Sequence, residues 1–259
     1  MSLRGSEVCK MTIETLEYNG RKISYDGSGK EHMIGGEGPI MAKHFNIKPD
    51  NVFFDVGAAD SQWTLYALAS GAYVYAIEPS VPYFKKIVQD VLSNDPPCMA
   101  SADVQGFWQP DYGIHFFERC KILNIGLGLE DRVERLRDWY ARIVGGSDGL
   151  CQLPDTQAVV RFLPLDHFLP ELTRLDWIKI DVEGGELDVI EGGRQAVEKF
   201  KPNFIIENHA QIDRIGPYMA QNRIVERIYE RFTGLGYSIC EDSHQQTMGR
   251  TFIIATRPG

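Results

Sequence analysis

Short apolar runs of strand length recur along the chain, each ending in a small or acidic residue, and stretches with helical spacing lie between them. Val52-Phe53-Phe54-Asp55-Val56-Gly57 is continuous and rich in β-formers, the pattern of a strand buried on both faces. After it, Trp63, Leu65, Tyr66 and Leu68 predict a helix with Ser61 as its N-cap and Gly71 as its stop. Ala72-Tyr73-Val74-Tyr75-Ala76-Ile77 predicts a second strand, halted at Glu78-Pro79 and followed by a helix with Phe84, Ile87, Val88 and Val91 at three- and four-residue spacing. Further strands are predicted over 121–125, 177–182, 203–207, 237–240 and 251–256, with helices over 184–199 and 215–235. This alternation predicts an α/β fold built from parallel βαβ units with helices on both faces of the sheet. The loop 241–250 leaves no room for a crossover helix, so the last strand pair is expected to be antiparallel.

Three segments stand outside the alternation. Residues 11–50 predict a hairpin around Asn19-Gly20, a favoured two-residue turn, and then a glycine-rich stretch over 27–38. Residues 96–119 are proline-rich and aromatic, with Phe107, Trp108, Tyr112, Phe116 and Phe117. Over 130–149, Val133, Leu136, Trp139 and Ile143 fall on one helical face before a glycine-rich loop. The expectation is a single domain over 1–259. Residues 1–50 form an N-terminal hairpin and helix extension, and 51–259 form a Rossmann-like core with inserts near 96–119 and 130–149. Inserts of this kind are where substrate choice is expected to lie.

Composition narrows the classes of partner. Of 259 residues, 27 are Lys or Arg and 36 are Asp or Glu, a formal charge of −9. That balance disfavours binding along a nucleic-acid backbone, where cations must meet phosphates. The five cysteines are scattered, odd in number and without a C-x-x-C pair, which suits reduced thiols. No apolar run approaches the ~18–20 residues of a membrane span, and Met1-Ser2-Leu3-Arg4-Gly5 lacks the apolar core of a signal peptide. A cytoplasmic chain is expected, as a monomer or a homo-oligomer.

Candidate chemistry begins at Asp55-Val56-Gly57-Ala58-Ala59-Asp60-Ser61. A strand that runs into small residues at a helix start lets a ligand approach the backbone and meet exposed N–H groups. Glu78 ends the next strand, 23 positions after Asp55, where an acidic side chain can accept hydrogen bonds from ribose hydroxyls. The pair indicates a nucleoside cofactor and leaves NAD and S-adenosylmethionine both open. Other motifs fall away. Gly145-Gly146-Ser147-Asp148-Gly149 lacks the strand before and helix after that a nucleophile elbow requires. Gly29-Lys30 is followed by Glu31 and is no phosphate loop. The six histidines show no zinc-binding spacing.

Leu165-Asp166-His167-Phe168, Ile178-Lys179-Ile180-Asp181-Val182-Glu183-Gly184-Gly185-Glu186 and Pro202-Asn203-Phe204-Ile205-Ile206-Glu207 together resemble the FkbM-type S-adenosylmethionine-dependent methyltransferases. Asp55 to Ser61, Ile77-Glu78-Pro79 and Asn124-Ile125-Gly126-Leu127-Gly128 resemble the earlier motifs of that family in the same order, so the likeness runs over about 50–210. The resemblance implies a class I methyltransferase fold: a doubly wound, Rossmann-like sheet of seven strands, mostly parallel, with the last antiparallel. It implies O-methylation of a hydroxyl on a small molecule, a sugar or polysaccharide, or a natural product. By the same resemblance Asp55, Gly57 and Ala59 line the methionine end of the cofactor, Glu78 holds the ribose, Gly126 and Leu127 flank the adenine, and Asp181 faces the methionine amino group or the acceptor. The family usually has Asn at the position of Ala59 and Gly at that of Ser61, so a non-catalytic nucleoside-binding scaffold stands as an alternative. An NAD(P)-dependent oxidoreductase using the same ribose-binding carboxylate is the other.

Methyl transfer to an alcohol needs a group that takes the hydroxyl proton. His209, just beyond the fifth predicted core strand, is the candidate base, with Asp181 and Glu207 beside it at strand ends. The rival mechanism has no histidine: Asp181, Glu207 and Asn208 supply oxygen ligands to Mg²⁺. Lys179 shares a strand face with Asp181 and needs a buried counter-charge such as Asp55 or Glu207. Glu183 and Glu186 also fit as acids in the first turn of a helix.

Overall fold

The computed structural model describes residues 13–18, 21–26, 37–94, 108–109, 113–116, 119–144, 158–211, 215–243 and 251–257. The chain opens with β1 (Ile13–Tyr18) and β2 (Arg21–Asp26), an antiparallel hairpin in which Tyr18 faces Arg21. That register leaves the two positions Asn19 and Gly20 for the turn, although both lie outside the described residues. Ile23 of β2 is buried, and α1 (Gly38–His44) follows, packed through Ile40 and Met41.

The core then alternates as the pattern predicts: β3 (Val52–Val56), α2 (Gln62–Ala69), β4 (Tyr73–Ile77) and α3 (Val81–Asn94). The insert contributes β5 (Trp108–Gln109) and β6 (Gly113–Phe116) ahead of β7 (Cys120–Leu123). Next come β8 (Gly126–Leu127), β9 (Arg132–Arg135), α4 (Leu136–Val144) and β10 (Val159–Leu163). The second half runs β11 (Trp177–Ile180), α5 (Glu186–Gly192), α6 (Arg194–Phe200), β12 (Asn203–Asn208), α7 (Gly216–Gln221), α8 (Ile224–Gly234), β13 (Ser238–Ser243) and β14 (Thr251–Thr256).

The main sheet has the order β13-β14-β12-β11-β3-β4-β7-β6-β5. Its seven-strand body, β7 to β13, is parallel except for β14, which runs antiparallel to both β12 and β13. The expected class I arrangement is therefore present, extended at one edge by the antiparallel pair β5 and β6. A second, three-stranded sheet, β8-β10-β9, stands beside it.

Several boundaries differ from the sequence pattern for identifiable reasons. Val133 belongs to strand β9 and is 64% exposed, because alternation along that strand turns it away from buried Val160 and Phe162 of the neighbouring β10. The helical face begins only at Leu136 and Trp139, both buried. The predicted helix over 184–199 is two helices broken at Gly192-Gly193, where a Cβ on Gly192 would lie 2.0 Å from the Gly128 carbonyl oxygen. The predicted helix over 215–235 breaks at Asn222-Arg223, and Arg223 takes a left-handed φ of 51°.

Strand alternation divides the core into two layers. Phe54, Val56, Ile178, Ile180, Phe204 and Ile206 face one layer of helices, while Phe53, Trp177, Ile205 and Phe252 face the other. Phe54 stacks on Tyr75 at 4.3 Å between centroids and meets Phe168 edge-on at 5.5 Å. Removing so large a buried ring leaves a cavity that neighbours fill only in part. Phe54→Ala is expected to lower unfolding free energy by about 3–5 kcal/mol in urea denaturation, with the m-value unchanged. A loss under about 1 kcal/mol would contradict this packing.

Candidate active site

The carboxyl ends of β3, β4 and β11 splay around a pocket whose floor is Gly57, Ala59, Glu78 and Asp181. Gly57 makes the close approach of β3 and β11 feasible. Its φ is +78°, and a Cβ there would come within 1.8 Å of the Asp181 carbonyl oxygen. The turn is then bolted to β4, since the N–H groups of Gly57 and Ala58 both donate to the Ile77 carbonyl, at 2.9 and 3.1 Å.

The two positions that depart from the resembled family are both strained. Ala59 has φ +29° and Ser61 φ +60°, in or near the left-handed region that Gly and Asn tolerate best. Ser61 does stand at the start of α2, but it does not cap the helix with its side chain. Its hydroxyl lies 2.5 Å from Asp90 Oδ2 of α3 instead, a buried bond that helps offset the backbone cost.

Glu78 is buried and uses its carboxylate to shape the loop. Oε2 accepts from the Ala59 N–H at 3.1 Å and Oε1 from the Ser80 N–H at 2.7 Å. Burial pushes its pKa up to about 7, against the opposing pull of those two N–H groups. The wall beyond Glu78 is apolar: Gly126 and Leu127 from β8, with Trp139 and Phe162 stacked at 5.5 Å and 21° between planes. A Cβ on Gly126 would meet the Phe162 ring at 2.3 Å, so only glycine fits there.

Behind the loop lies a buried ammonium. Lys179 Nζ donates to the Gly57 carbonyl at 2.9 Å and to Asp181 Oδ2 at 3.2 Å, and stands 3.9 Å from Asp55 Oδ1. Burial alone would lower the Lys179 pKa, but Asp181, Asp55, Glu37 and Glu207 together hold it above the ordinary lysine value. Asp55 is thereby placed differently from the expectation that it lines the cofactor pocket. It is fully buried under the loop, its Oδ2 accepts from the Thr64 hydroxyl at 2.7 Å, and burial raises its pKa despite Lys179. For Asp181 burial acts upward, but Lys179 and then His209 outweigh it and hold the group well below the carboxylate range.

His209 follows β12 and is 1% exposed. Its Nδ1–H donates to Glu186 Oε1 at 2.8 Å, and its Nε2 lies 3.4 Å from Asp181 Oδ1, 3.8 Å from Glu207 Oε1 and 4.0 Å from Glu183 Oε2. Burial opposes its charge, yet Glu186 and Asp181 raise its pKa well above the ordinary histidine value. The four carboxylates around the ring thus favour its proton, while Nδ1 is fixed on Glu186 and Nε2 faces Asp181 and Glu207. The reading of His209 as general base runs against this surrounding of carboxylates, which favours the protonated ring. The Mg²⁺ set of Asp181, Glu207 and Asn208 is corrected, because Asn208 Oδ1 turns back to accept the Ala210 N–H at 3.0 Å. Glu186 lies in the first turn of α5, as its position suggested, but it is wholly buried and also accepts from the Gly184 N–H at 2.9 Å.

The sequence pattern did not single out Phe162, whose only signal was a place in a short apolar run, nor Tyr83, which also lines the pocket. Phe107, Tyr112, Phe117 and Ser147 lie outside the described residues.

The doubly wound sheet with one antiparallel strand beside its edge is that of the class I methyltransferases, and the pocket lies at the carboxyl ends of its strands, where such sheets bind ligands. The Methyltransferase FkbM domain model matches residues 55–239, and the chain belongs to that family. Membership in that family favours the methyltransferase expectation over the oxidoreductase alternative. Among solved structures, it is similar to methyltransferase FkbM from Methylobacillus flagellatus KT, at 19% identity and a TM-score of 0.50, over 80% of this chain and 43% of that one. The chain thus spans less than half the length of that relative. It is similar in fold to a putative rRNA-methylase from Clostridium thermocellum, at 5% identity and a TM-score of 0.51, over 87% of this chain and 96% of that one. The Methanococcus jannaschii fibrillarin pre-rRNA processing protein gives 13% identity and a TM-score of 0.50, over 99% and 86%. No curated protein sequence matches the chain.

Lys179→Met tests the buried charge cluster. It leaves Asp55 and Asp181 without their ammonium, and is expected to cost about 3–5 kcal/mol of stability. Adding Asp55→Asn is expected to recover part of that loss in a double-mutant cycle. Strict additivity of the two changes would show that the pair is not coupled.

Proposed function

We propose that the chain transfers a methyl group from S-adenosylmethionine to a hydroxyl of a small molecule or saccharide, in the cytoplasm. The observation that carries this reading is one continuous cleft. It joins Gly57, Ala59 and Glu78 on the cofactor side to Asp181 and Glu183 on the other, under the Trp139–Phe162 wall. In this reading the Gly57–Ala59 turn receives the methionine end, Glu78 accepts from the ribose hydroxyls, and Gly126 and Leu127 flank the adenine. The cofactor supplies a sulfonium methyl: its S–C bond breaks as the acceptor O–C bond forms, and the electron pair stays on sulfur.

The protein then has to align the acceptor, exclude water and receive one proton. Asp181 is held as a carboxylate by Lys179 and His209, so it accepts the hydrogen bond of the acceptor hydroxyl and orients it, while its low proton affinity suits it poorly to take the proton. Glu207, buried beside it, is the carboxylate to which that proton passes. His209, with Nδ1 held by Glu186, faces Asp181 and fixes its orientation. Carboxylates on this side of the cleft suit a neutral, hydroxyl-bearing acceptor and repel a polyanion, and the charge of −9 agrees.

Incubation with methyl-labelled S-adenosylmethionine, a panel of sugars and hydroxylated small molecules, and ribosomal RNA tests the acceptor class. Label is expected in a small-molecule hydroxyl; label confined to RNA would overturn the reading. Calorimetry is expected to show S-adenosylhomocysteine binding and no NAD(P) binding.

Glu78 adds a pH dependence with a defined sign. Ribose hydroxyls donate to the ionised carboxylate, so binding is linked to loss of the Glu78 proton. S-Adenosylhomocysteine affinity is expected to hold above pH about 7 and to fall below it, approaching tenfold per pH unit. Glu78→Gln is expected to bind more weakly and without that pH step; an unchanged pH profile in the variant would assign the step to another group.

A further inference from the structure

The methyl-transfer reading gives Asp181, Glu207 and His209 separate tasks, yet their donor atoms converge. His209 Nε2 is 3.4 Å from Asp181 Oδ1 and 3.8 Å from Glu207 Oε1. One ligand atom from each of the three residues lies within 4.8 Å of the other two. Donors that share an ion at about 2.0–2.2 Å are themselves about 3–4 Å apart, so the set needs little movement to close on one cation.

Three further features go beyond a simple cluster of acids. The first is an imidazole among the donors, with its far nitrogen fixed: Nδ1–H donates to Glu186 Oε1 at 2.8 Å, and that carboxylate is itself anchored by the Gly184 N–H. A carboxylate on the distal ring nitrogen is the usual support of a metal-binding histidine, since it sets ring orientation and strengthens the ligand. The second is a fully buried carboxylate atom, Glu186 Oε2, that accepts no hydrogen bond among the described residues. It adds negative potential against the ring that a cation in the cleft offsets. The third is a division of labour on Asp181: Oδ2 is taken by Lys179, while Oδ1 faces His209.

We propose that Asp181, Glu207 and His209 bind one divalent first-row transition ion, of the Mn²⁺, Co²⁺ or Zn²⁺ kind, with Glu186 as the positioning residue behind His209. The imidazole selects such ions over Mg²⁺, which prefers oxygen donors and retained waters. Glu183 is a further donor at the mouth, held there by a left-handed φ of 55°, with Oε2 4.0 Å from His209 Nε2. The ion faces the cleft. Its role there rests on the methyl-transfer reading. With the ion bound, Glu207 serves as a ligand in place of taking the proton directly. The ion coordinates the acceptor oxygen and acidifies the hydroxyl, whose proton leaves to solvent at the cleft mouth before water is excluded and the O–C bond forms. With Nε2 given to the ion, His209 is not available as a base, and the ion takes over activation of the hydroxyl.

The test is metal binding, measured apart from activity. Chelator-treated full-length chain is titrated with CoCl₂, MnCl₂ and ZnCl₂ by calorimetry, and with S-adenosylhomocysteine in a separate cell. One equivalent of Co²⁺ is expected, with visible absorption bands of a site containing nitrogen and oxygen donors. His209→Ala and Glu207→Gln are expected to weaken binding by at least about tenfold, and Glu186→Gln by about 10–100-fold. Circular dichroism checks that each variant is folded, and the wild-type titration alone decides the matter if one is not. Wild-type protein that binds S-adenosylhomocysteine but takes up no ion overturns the metal site and leaves the methyltransferase reading standing. Equal metal affinity in the His209 and Glu207 variants also overturns it. Ion uptake without any S-adenosylhomocysteine binding supports the metal site and counts against the cofactor assignment.

Discussion

A lysine ammonium buried in the middle of a parallel sheet is costly unless its partners are fixed, and Lys179 fixes them in three directions. It holds the Gly57 carbonyl of the cofactor turn, the Asp181 carboxylate at the end of its own strand, and the charge of Asp55 on the adjacent strand. The turn between β3 and α2, the end of β11 and the pairing of the two strands therefore depend on one charge. Removing the ammonium leaves two buried carboxylates with only the Thr64 hydroxyl and His209 to offset their desolvation, which is why the cluster acts as a unit. The low proton affinity of Asp181 is one result of this arrangement, and so is the raised proton affinity of His209, to which Glu186 and Asp181 contribute.

Strain is concentrated where that cluster meets the cleft. Ala59, Ser61 and Glu183 all take positive φ without being glycine, and two of them line the pocket. Residues are held in such conformations when surrounding bonds over-determine them. Glu78 holds the Ala59 N–H, Asp90 lies against the Ser61 hydroxyl, and Gly184 next to Glu183 supplies the freedom for the following turn at φ +106°.

The strands and their order were legible because two-sided burial writes continuous apolar runs. Val52–Val56 and Trp177–Ile180 are wholly buried and could not be mistaken for surface elements. The carboxylates at strand ends were legible for the same reason, since each stands just past a run. What each carboxylate does was not legible. Asp55 and Glu78 look alike in sequence, yet one is sealed beneath the loop by Thr64 and Lys179 while the other shapes the pocket. The charge state of His209 depends on Glu186, which is 23 residues away and wholly buried, and no local pattern encodes that contact. Val133 shows the opposite failure: a helical spacing was present, but pairing with β10 claimed the residue for a strand.

The acidity of the chain, diffuse in composition, acquires a location here, because Asp55, Glu78, Asp181, Glu186 and Glu207 converge on one sheet edge around Lys179 and His209. The central claim is that Lys179 organises the cofactor turn through Gly57. Calorimetric binding of S-adenosylhomocysteine to folded Lys179→Met, measured well below its unfolding temperature, tests that claim most directly. Loss of a charge-assisted bond that positions the turn predicts affinity weaker by about tenfold or more. Wild-type affinity in the folded variant would contradict it.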